Sequence, residues 1–567
     1  MVGFFENKKN FILAIIGIGV LIWSFFTLNC GYYVDENGLL VIYKGIYQGQ
    51  HMFTDSWEAL QTGGILAWPL LALYYQVFSP MFAAGGINIG LVLFMRICYV
   101  ICRLMVAGYL YYTIKRTDFE KGAYLSALFY YMFVVVWRNF SYKSYCEMAV
   151  MLLICFLVRY HETRKNYFFV LAAVATCIAI LAYPTMIIMA VLIGVLLVVG
   201  IYRNEFDIKP LLCFSVTCVV IGGAFALYLQ FTSGWGNIIS QISNLGDQDY
   251  EHPMWYRLGV MLGSYVVFAV IAYLPILAVV LIRRFRYLSS VMENTFLTIY
   301  WIVFFLAICV LRPEGISTSR FVYAILILFF WFPYLVAEKE DSGYTKIGAY
   351  NSGRREAKTI LWIAFIISAA TQLIWAVSTN QDITVPGHMA VYVVIADLLI
   401  MLNEKEAFGG LVTAILAVAA FFMGFWVPEH NGGYSDVLAT RYIVTEGELK
   451  GIALLPEDYQ KNQICYELVT QYIPEGSKLL VAFGSNSTGY INSDSWQGTY
   501  TVYARTQKNT KLLDYYQINP DNQADYLLLD KGNDKYEMFL EGDTGKYLMS
   551  TYTNEIAYGG DFVLLGR

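Results

Sequence analysis

Residues 30–63 read CGYYVDENGLLVIYKGIYQGQHMFTDSWEALQTG, and they directly follow the apolar run 11–29. This stretch carries an acidic pair, Asp35 and Glu36, and further along a second one, Asp55 and Glu58, with Lys44 between them. From 37 to 47 the apolar residues recur at helical spacing, which predicts a helix along the membrane surface. This density of charged residues beside an apolar run indicates that candidate catalytic residues lie at a membrane boundary.

The amino-acid composition is that of a chain surrounded largely by lipid. Of the 567 residues, 58% are hydrophobic and only 14% are charged, and the mean hydropathy is +0.52. A soluble globular chain carries about 25% charged residues, so lipid solvates much of this protein. The net charge of −5 is small, and no basic region indicates a nucleic-acid partner.

The apolar runs define a polytopic topology. A span needs about 20 apolar residues, and about thirteen spans are predicted, at 11–29, 86–114, 122–137, 145–159, two within 167–202, 210–231, 258–282, 295–311, 321–337, 359–378, 387–403 and 408–427. With the N-terminus in the cytoplasm, the cytoplasmic segments hold nineteen Lys or Arg residues and the outer loops before residue 428 hold six, as the positive-inside rule expects.

Two segments decide this count. A single helix over 167–202 would be about 54 Å long, and Tyr183-Pro184 lies at its centre, so two spans are predicted there. If 63–79 crossed the membrane, the basic residues Lys115 and Arg116 would lie outside. We therefore expect 63–79 to be a membrane-surface or re-entrant helix within a first outer loop at 30–85.

The last part of the chain differs in composition. Residues 428–567 are polar and contain the strand-like runs SKLLVAF and ADYLLLD. They predict an extracytoplasmic C-terminal α/β domain, which follows a transmembrane domain at 1–427. The sequence does not indicate what this domain binds.

The first outer loop could perform group transfer from a phosphate-linked lipid. Such a reaction needs a base for the acceptor hydroxyl, and a positioned carboxylate can serve. The leaving lipid phosphate needs cations beside it, which Arg138 and Lys143 of WRNFSYKSY and Arg312 and Arg320 of RPEGISTSR could supply. The alternatives also stand: acidic residues that merely solvate a helix end, and basic residues that anchor spans by snorkelling.

Three charges are predicted inside spans: Arg96 and Arg103 in the second and Asp397 in the twelfth. Such charges mark functional sites by default, although partners within the bundle explain the arginines equally well. The loop LGDQDYEHPMWYR could supply divalent-ion ligands, but an acidic solvated loop explains it better. We predict no metal and no cofactor, leaving a divalent metal possible.

Four motifs in this order resemble the membrane glycosyltransferases with the GT-C fold, which include protein O-mannosyltransferases and lipid A aminoarabinose transferases. They are the loop VDENGLLVIYKGIYQGQHMFTDSWEALQTG, the arginine-containing FMRICYVICRLMVAGYLYY, ILAYPTM, and STSRFVYAILILF, in which Phe321 replaces the tyrosine usual in the family.

The resemblance implies an all-α bundle that uses a polyprenyl-phosphate sugar donor and inverts the anomeric carbon. It implies Asp35 as the catalytic base, Glu36 as a residue that orients the acceptor or the loop, and Arg320 as a phosphate contact. Arg138, Lys143 and Arg312 are further phosphate candidates, and Asp55, Glu58 and Lys44 are candidates for the acceptor or the loop. A cell-envelope glycan, lipid or protein would be the acceptor.

Two alternative functions remain open. A surface-polysaccharide polymerase or ligase is also polytopic and outward-facing, although such proteins usually place a large loop between late spans. A transporter or flippase would require charges along a midplane path and symmetry between halves, and the sequence offers few such charges and no evident repeat.

The topology can be tested with reporter fusions. We expect reporters after Arg116, Arg286 and Arg355 to report the cytoplasm, and a reporter after Arg567 to report the outside. An external signal at Arg116 would mean that 63–79 crosses the membrane, and the proposed outer loop would then be wrong.

Overall fold

The computed structural model describes residues 2–31, 33–133, 138–245, 253–286, 288–311, 318–337, 351–378, 383–403, 408–430, 441–483, 488–504, 506 and 510–567. Its N-terminal part is helical, with helices Val2–Phe26 (α1), Val34–Tyr47 (α2), Gly63–Leu73 (α3), Ser79–Gly85 (α4), Leu91–Ile114 (α5), Ala123–Met132 (α6), Tyr142–Thr163 (α7), Tyr167–Ala182 (α8), Ile187–Tyr202 (α9), Ile208–Thr232 (α10), Trp235–Gln241 (α11), Met254–Phe285 (α12), Ser290–Leu311 (α13), Thr318–Val336 (α14), Asn351–Ser378 (α15), Thr384–Gly387 (α16), Val391–Asn403 (α17) and Gly409–His430 (α18).

The protein is a multi-pass membrane protein. Within the described ranges, nine helices are long and apolar enough to cross a bilayer, and four shorter apolar helices accompany them. A helix lies at each of the thirteen predicted spans, and the break between α8 and α9 falls at Tyr183 and Pro184 as predicted. The number of helices that actually cross stays a prediction.

The helical stretch 63–85 is the segment on which the topology depends. It runs through α3, a π-helical turn at Tyr74–Phe78 and α4, and its 23 residues are long enough to cross. Near its start, Glu58 accepts a hydrogen bond from Thr501 in the C-terminal part, and within it the Tyr75 hydroxyl donates to Glu448, 2.7 Å away. Just beyond its end, the Asn88 amide donates to the carbonyl of Val444 over 3.0 Å. A crossing helix of this length would separate its ends by about 34 Å, so contacts with the same C-terminal domain near both ends favour a surface position.

The C-terminal part is built on a mixed five-stranded sheet. Strands Tyr442–Ile443 (β1) and Ala453–Leu454 (β2) pair separately, and the sheet has the order β4-β3-β5-β7-β6, formed by Lys478–Val481 (β3), Trp496–Gln497 (β4), Tyr526–Asp530 (β5), Asn554–Gly559 (β6) and Phe562–Gly566 (β7). Helices Pro456–Tyr472 (α19), Thr488–Ile491 (α20), Lys511–Ile518 (α21), Tyr536–Glu541 (α22) and Asp543–Thr551 (α23) accompany it. Strands β3 and β5 lie in the two predicted strand-like runs.

Helix α2 lies between the bundle and this sheet domain. The spacing predicted the helix, but not that the sheet domain would cover it: Leu40 and Tyr43 are completely buried. The Lys44 ammonium donates to the carbonyls of Ile491 and Ser493, both 3.0 Å away, and the Gln497 amide donates to the carbonyl of Val41. The sheet domain is therefore packed directly on the first outer loop.

Candidate active site

Helix α2 begins with the acidic pair, and its geometry separates the two side chains. Asp35 and Glu36 lie in the first turn, where the helix dipole favours negative charge. Consecutive helical residues point about 100° apart, so the two carboxylates face different surroundings. Glu36 is completely buried, whereas Asp35 is exposed.

Glu36 forms a bidentate ion pair with Arg96 of α5. The Arg96 Nε and Nη2 atoms donate to the two carboxylate oxygens over 2.7 and 2.6 Å, and the Asn139 amide donates to Oε1 over 2.7 Å. The same guanidinium donates to the carbonyls of Leu28 and Gly31. Arg96 therefore joins the end of α1, the connection to α2 and α2 itself. These contacts favour the alternative in which this arginine has partners within the protein.

Asp35 lies next to this anchor and faces outward. Its backbone carbonyl accepts a hydrogen bond of 3.0 Å from the hydroxyl of Tyr503 in the sheet domain. Although the residue is accessible, protein surrounds much of its carboxylate, and this desolvation raises the pKa above the ordinary value of 3.8. The nearby Lys143 ammonium acts in the opposite direction and lowers that pKa.

Lys143 is brought to Asp35 by the start of α7. Ser141 and Ser144 form a reciprocal capping box that begins this helix, which puts Lys143 in its first turn. The helix dipole opposes a cation at that position, so helix stability does not account for a lysine there. The negative charge of Asp35 compensates for it.

The other predicted phosphate ligands have different surroundings. Arg138 is 1% exposed and donates to the Ser24 carbonyl and the Thr27 hydroxyl, each 2.7 Å away. Arg320 is 3% exposed and donates to the Cys309 carbonyl over 3.2 Å. Arg312 lies outside the described residues. Arg138 is a buried contact between helices and not a snorkelling anchor, and phosphate binding by Arg138, Arg320 and Arg312 stays a prediction.

Of the acceptor candidates, the structure brings Glu58 toward Asp35. Asp35 and Glu58 both act electrostatically on the Tyr503 hydroxyl. Burial raises the pKa of Glu58, and the 2.8 Å hydrogen bond from Thr501 lowers it.

Asp55 and Lys44 are engaged elsewhere. Asp55 accepts from the backbone amide of His51 and from the Asn522 amide. Lys44 is bound to the sheet domain and is 3% exposed. Both contacts connect the loop with its surroundings, which favours the loop alternative for these two residues.

Sequence reasoning missed Asn139, Thr501 and Tyr503. Nothing near Thr501 or Tyr503 in the chain marks them, because they lie hundreds of residues from the loop they contact. The one available signal was Gly38, a glycine inside a helix, where it costs about 0.5–1 kcal/mol relative to alanine. Such a glycine indicates that another group approaches the helix closely.

The remaining buried charges belong to the bundle. Arg103 donates to Glu147 over 2.6 Å and to the carbonyls of Tyr130 and Phe133, so it too has a bundle partner. Asp397 is completely buried in α17. In the described part of the chain, no cluster of three His, Cys, Asp or Glu residues could hold a metal ion. The acidic loop at 246–252 lies outside that part.

Part of the chain matches a known protein family. Residues 69–225 match the family described as dolichyl-phosphate-mannose-protein mannosyltransferase. This match confirms the resemblance to the GT-C membrane glycosyltransferases. It covers α5 with Arg96 and the start of α7 with Lys143, but not the part of the first outer loop that carries Asp35. No curated protein matches the chain in a sequence comparison.

Solved structures offer more distant similarities. ArnT from Cupriavidus metallidurans in the apo state has 12% identity over 99% of this chain and 98% of its own, with a TM-score of 0.45. The archaeal oligosaccharyltransferase AglB from Archaeoglobus fulgidus, in complex with an inhibitory peptide and a dolichol-phosphate, has 10% identity over 99% of this chain and 74% of its own, with a TM-score of 0.44. Similarities at this level do not bear on the reaction.

The different surroundings of the two acidic residues predict different effects on stability. Glu36→Gln leaves the Arg96 charge buried without its counter-charge, and breaking such a pair costs about 3–5 kcal/mol. Asp35→Asn alters an exposed side chain, for which about 0.5 kcal/mol or less is expected. Thermal unfolding of the purified variants in detergent measures both changes.

A double variant provides the control. Replacing the pair by apolar groups, Glu36→Leu with Arg96→Met, should recover part of the loss because no uncompensated charge is left. Equal unfolding midpoints for Glu36→Gln and Asp35→Asn would contradict the role of the pair.

Proposed function

We propose that the protein transfers a sugar, with inversion, from a polyprenyl-phosphate donor to a hydroxyl group of a cell-envelope glycan, lipid or protein. Transfer occurs at the outer face of the membrane, with the N-terminus in the cytoplasm and the sheet domain outside. The observation that carries the proposal is the position of Asp35, an exposed carboxylate in the first turn of α2, beside the buried Glu36–Arg96 pair and within electrostatic range of Lys143. The matched family, whose description names dolichyl-phosphate mannose, supports the class of donor.

The proposed reaction is a single displacement. Asp35 accepts the proton of the acceptor hydroxyl, whose oxygen forms a bond with the anomeric carbon from the face opposite the phosphate. The bond between the anomeric carbon and the phosphate oxygen breaks, and the polyprenyl phosphate leaves with both bonding electrons. Lys143 stabilises the negative charge that develops on the phosphate, and Arg320 is a further candidate for this role.

Glu36 serves the reaction indirectly. Because its carboxylate is buried and bound by Arg96, it orients the loop and does not contact a substrate. The fixed start of α2 then determines where the Asp35 carboxylate lies. A positioned base of this kind is what proton transfer requires.

The first test measures transfer directly. The protein in lipid nanodiscs is given radiolabelled undecaprenyl-phosphate sugars of several kinds together with an extracted cell-envelope fraction. We expect one donor to release undecaprenyl phosphate and label an acceptor, and Asp35→Asn to lower the rate by about 10²- to 10⁴-fold because the base is lost. Asp543→Asn, an exposed aspartate in the first turn of α23, is the matched control and should be as active as the parent.

Two results would contradict the proposal. The first is a parent protein that uses none of these donors. The second is full activity of Asp35→Asn.

The pH dependence tests the electrostatic interaction between Asp35 and Lys143. The base works only when ionised, so the rate falls as the pH drops below the pKa of Asp35, which burial has raised. Lys143 lowers this pKa, so Lys143→Gln should raise it further and move the acid limb of the pH–rate profile to higher pH. Lys143→Arg keeps the charge and should leave the limb near its original position. An unmoved limb in Lys143→Gln would show that the two groups do not interact.

A further inference from the structure

A short segment of the sheet domain contacts both acidic parts of the first outer loop. This 500–503 segment lies between β4 and α21. Its Tyr500 carbonyl accepts from the backbone amide of Trp57 over 2.8 Å and from the hydroxyl of Ser56 over 3.1 Å. Thr501 donates to the carboxylate of Glu58 over 2.8 Å, and Tyr503 donates to the backbone carbonyl of Asp35 over 3.0 Å.

The sequence of α2 is adapted to Tyr503. A Cβ atom at Gly38 would lie 2.3 Å from the Tyr503 hydroxyl oxygen and 2.6 Å from Cε1 of its ring. Any other residue at this position would therefore displace the tyrosine. A glycine in the interior lowers the stability of the helix, but it lets the Tyr503 ring fit against the first two turns of α2. This close approach fixes α2 from the side of the sheet domain, as Arg96 fixes it from the side of the bundle.

The hydroxyl of Tyr503 acts as a permanent donor. Burial, followed by the charges of Asp35 and Glu58, raises its pKa well above the ordinary tyrosine value. It therefore stays protonated throughout the physiological range and keeps its hydrogen bond to the Asp35 carbonyl. That bond lies on the main chain of the residue that bears the proposed base.

We propose that the 500–503 segment makes the sheet domain part of the active site, with Tyr503 as a positioning residue for Asp35 and Thr501 as a positioning residue for Glu58. The inference rests on the proposed function for its catalytic consequence. Its structural content, that Tyr503 orders the first turn of α2, is independent of any substrate. The sheet domain is then a component of the catalytic machinery and not an appended binding module.

The first experiment measures the ordering itself, in the full-length protein in nanodiscs. Backbone hydrogen exchange over residues 33–40 is compared between the parent and Tyr503→Phe, which lacks only the hydroxyl. Loss of one hydrogen bond at the start of α2 should raise exchange by about three- to tenfold. Tyr552→Phe is the matched control, because it removes a 2.6 Å hydrogen bond from a buried tyrosine to the Ala524 carbonyl inside the sheet domain. It should leave exchange at 33–40 unchanged.

The second experiment measures the consequence for transfer. With the undecaprenyl-phosphate donor that the parent uses, Tyr503→Phe should lower kcat by about tenfold. Its KM for the donor, and the stoichiometry with which it binds undecaprenyl phosphate, should stay those of the parent. Tyr552→Phe should keep the parent's kcat. A loss that merely reflected misfolding would lower the bound stoichiometry as well.

The outcomes separate the two proposals. Unchanged exchange at 33–40 in Tyr503→Phe would overturn the positioning role, whatever the activity. Raised exchange with an unchanged kcat would show that the contact is structural only, and would overturn the catalytic part. If the parent used no donor, the proposed function would fail, whereas the exchange measurement would still decide whether Tyr503 orders α2.

Discussion

The buried ion pair between Glu36 and Arg96 is the contact on which the position of α2 depends. It joins a membrane-embedded helix to the start of the first outer loop, and the arginine also binds the carbonyls of the connecting chain. A buried pair gains little net stability over apolar packing, but a single missing partner is costly. The pair therefore selects one arrangement of the loop, because any other arrangement leaves a charge buried alone.

This constraint explains why two adjacent acidic residues have different surroundings. The rotation of the helix turns Glu36 toward Arg96 and leaves Asp35 at the accessible surface near Lys143. Three elements then meet at the start of α2: the bundle through Arg96, the capped start of α7 through Lys143, and the sheet domain through Tyr503. The proposed base is therefore held from three sides, and group transfer requires a base that is preorganised in this way.

Much of this arrangement could be predicted from the sequence, and the remainder depends on distant contacts. Apolar runs and the Tyr183-Pro184 break are local features, so the helices of the bundle were predictable. The acidic pair, the basic residues and the strands at 478–481 and 526–530 were also visible. The partner of Glu36 was not predictable, because Arg96 lies 60 residues away and its sequence surroundings do not indicate which acid it binds. Tyr503 lies 468 residues from Asp35, and only Gly38 hinted at such an approach. The burial of Arg138 and Lys44 likewise follows from tertiary packing.

The central claim is that this anchored loop presents Asp35 to a polyprenyl phosphate beside Lys143. A cryo-electron microscopy structure of the protein in a lipid nanodisc with undecaprenyl phosphate tests it most directly. The account predicts density for the phosphate next to the Lys143 ammonium, with the Asp35 carboxylate facing it and the Glu36–Arg96 pair intact. Phosphate density elsewhere on the outer face, with the space between Lys143 and Asp35 empty, would contradict it.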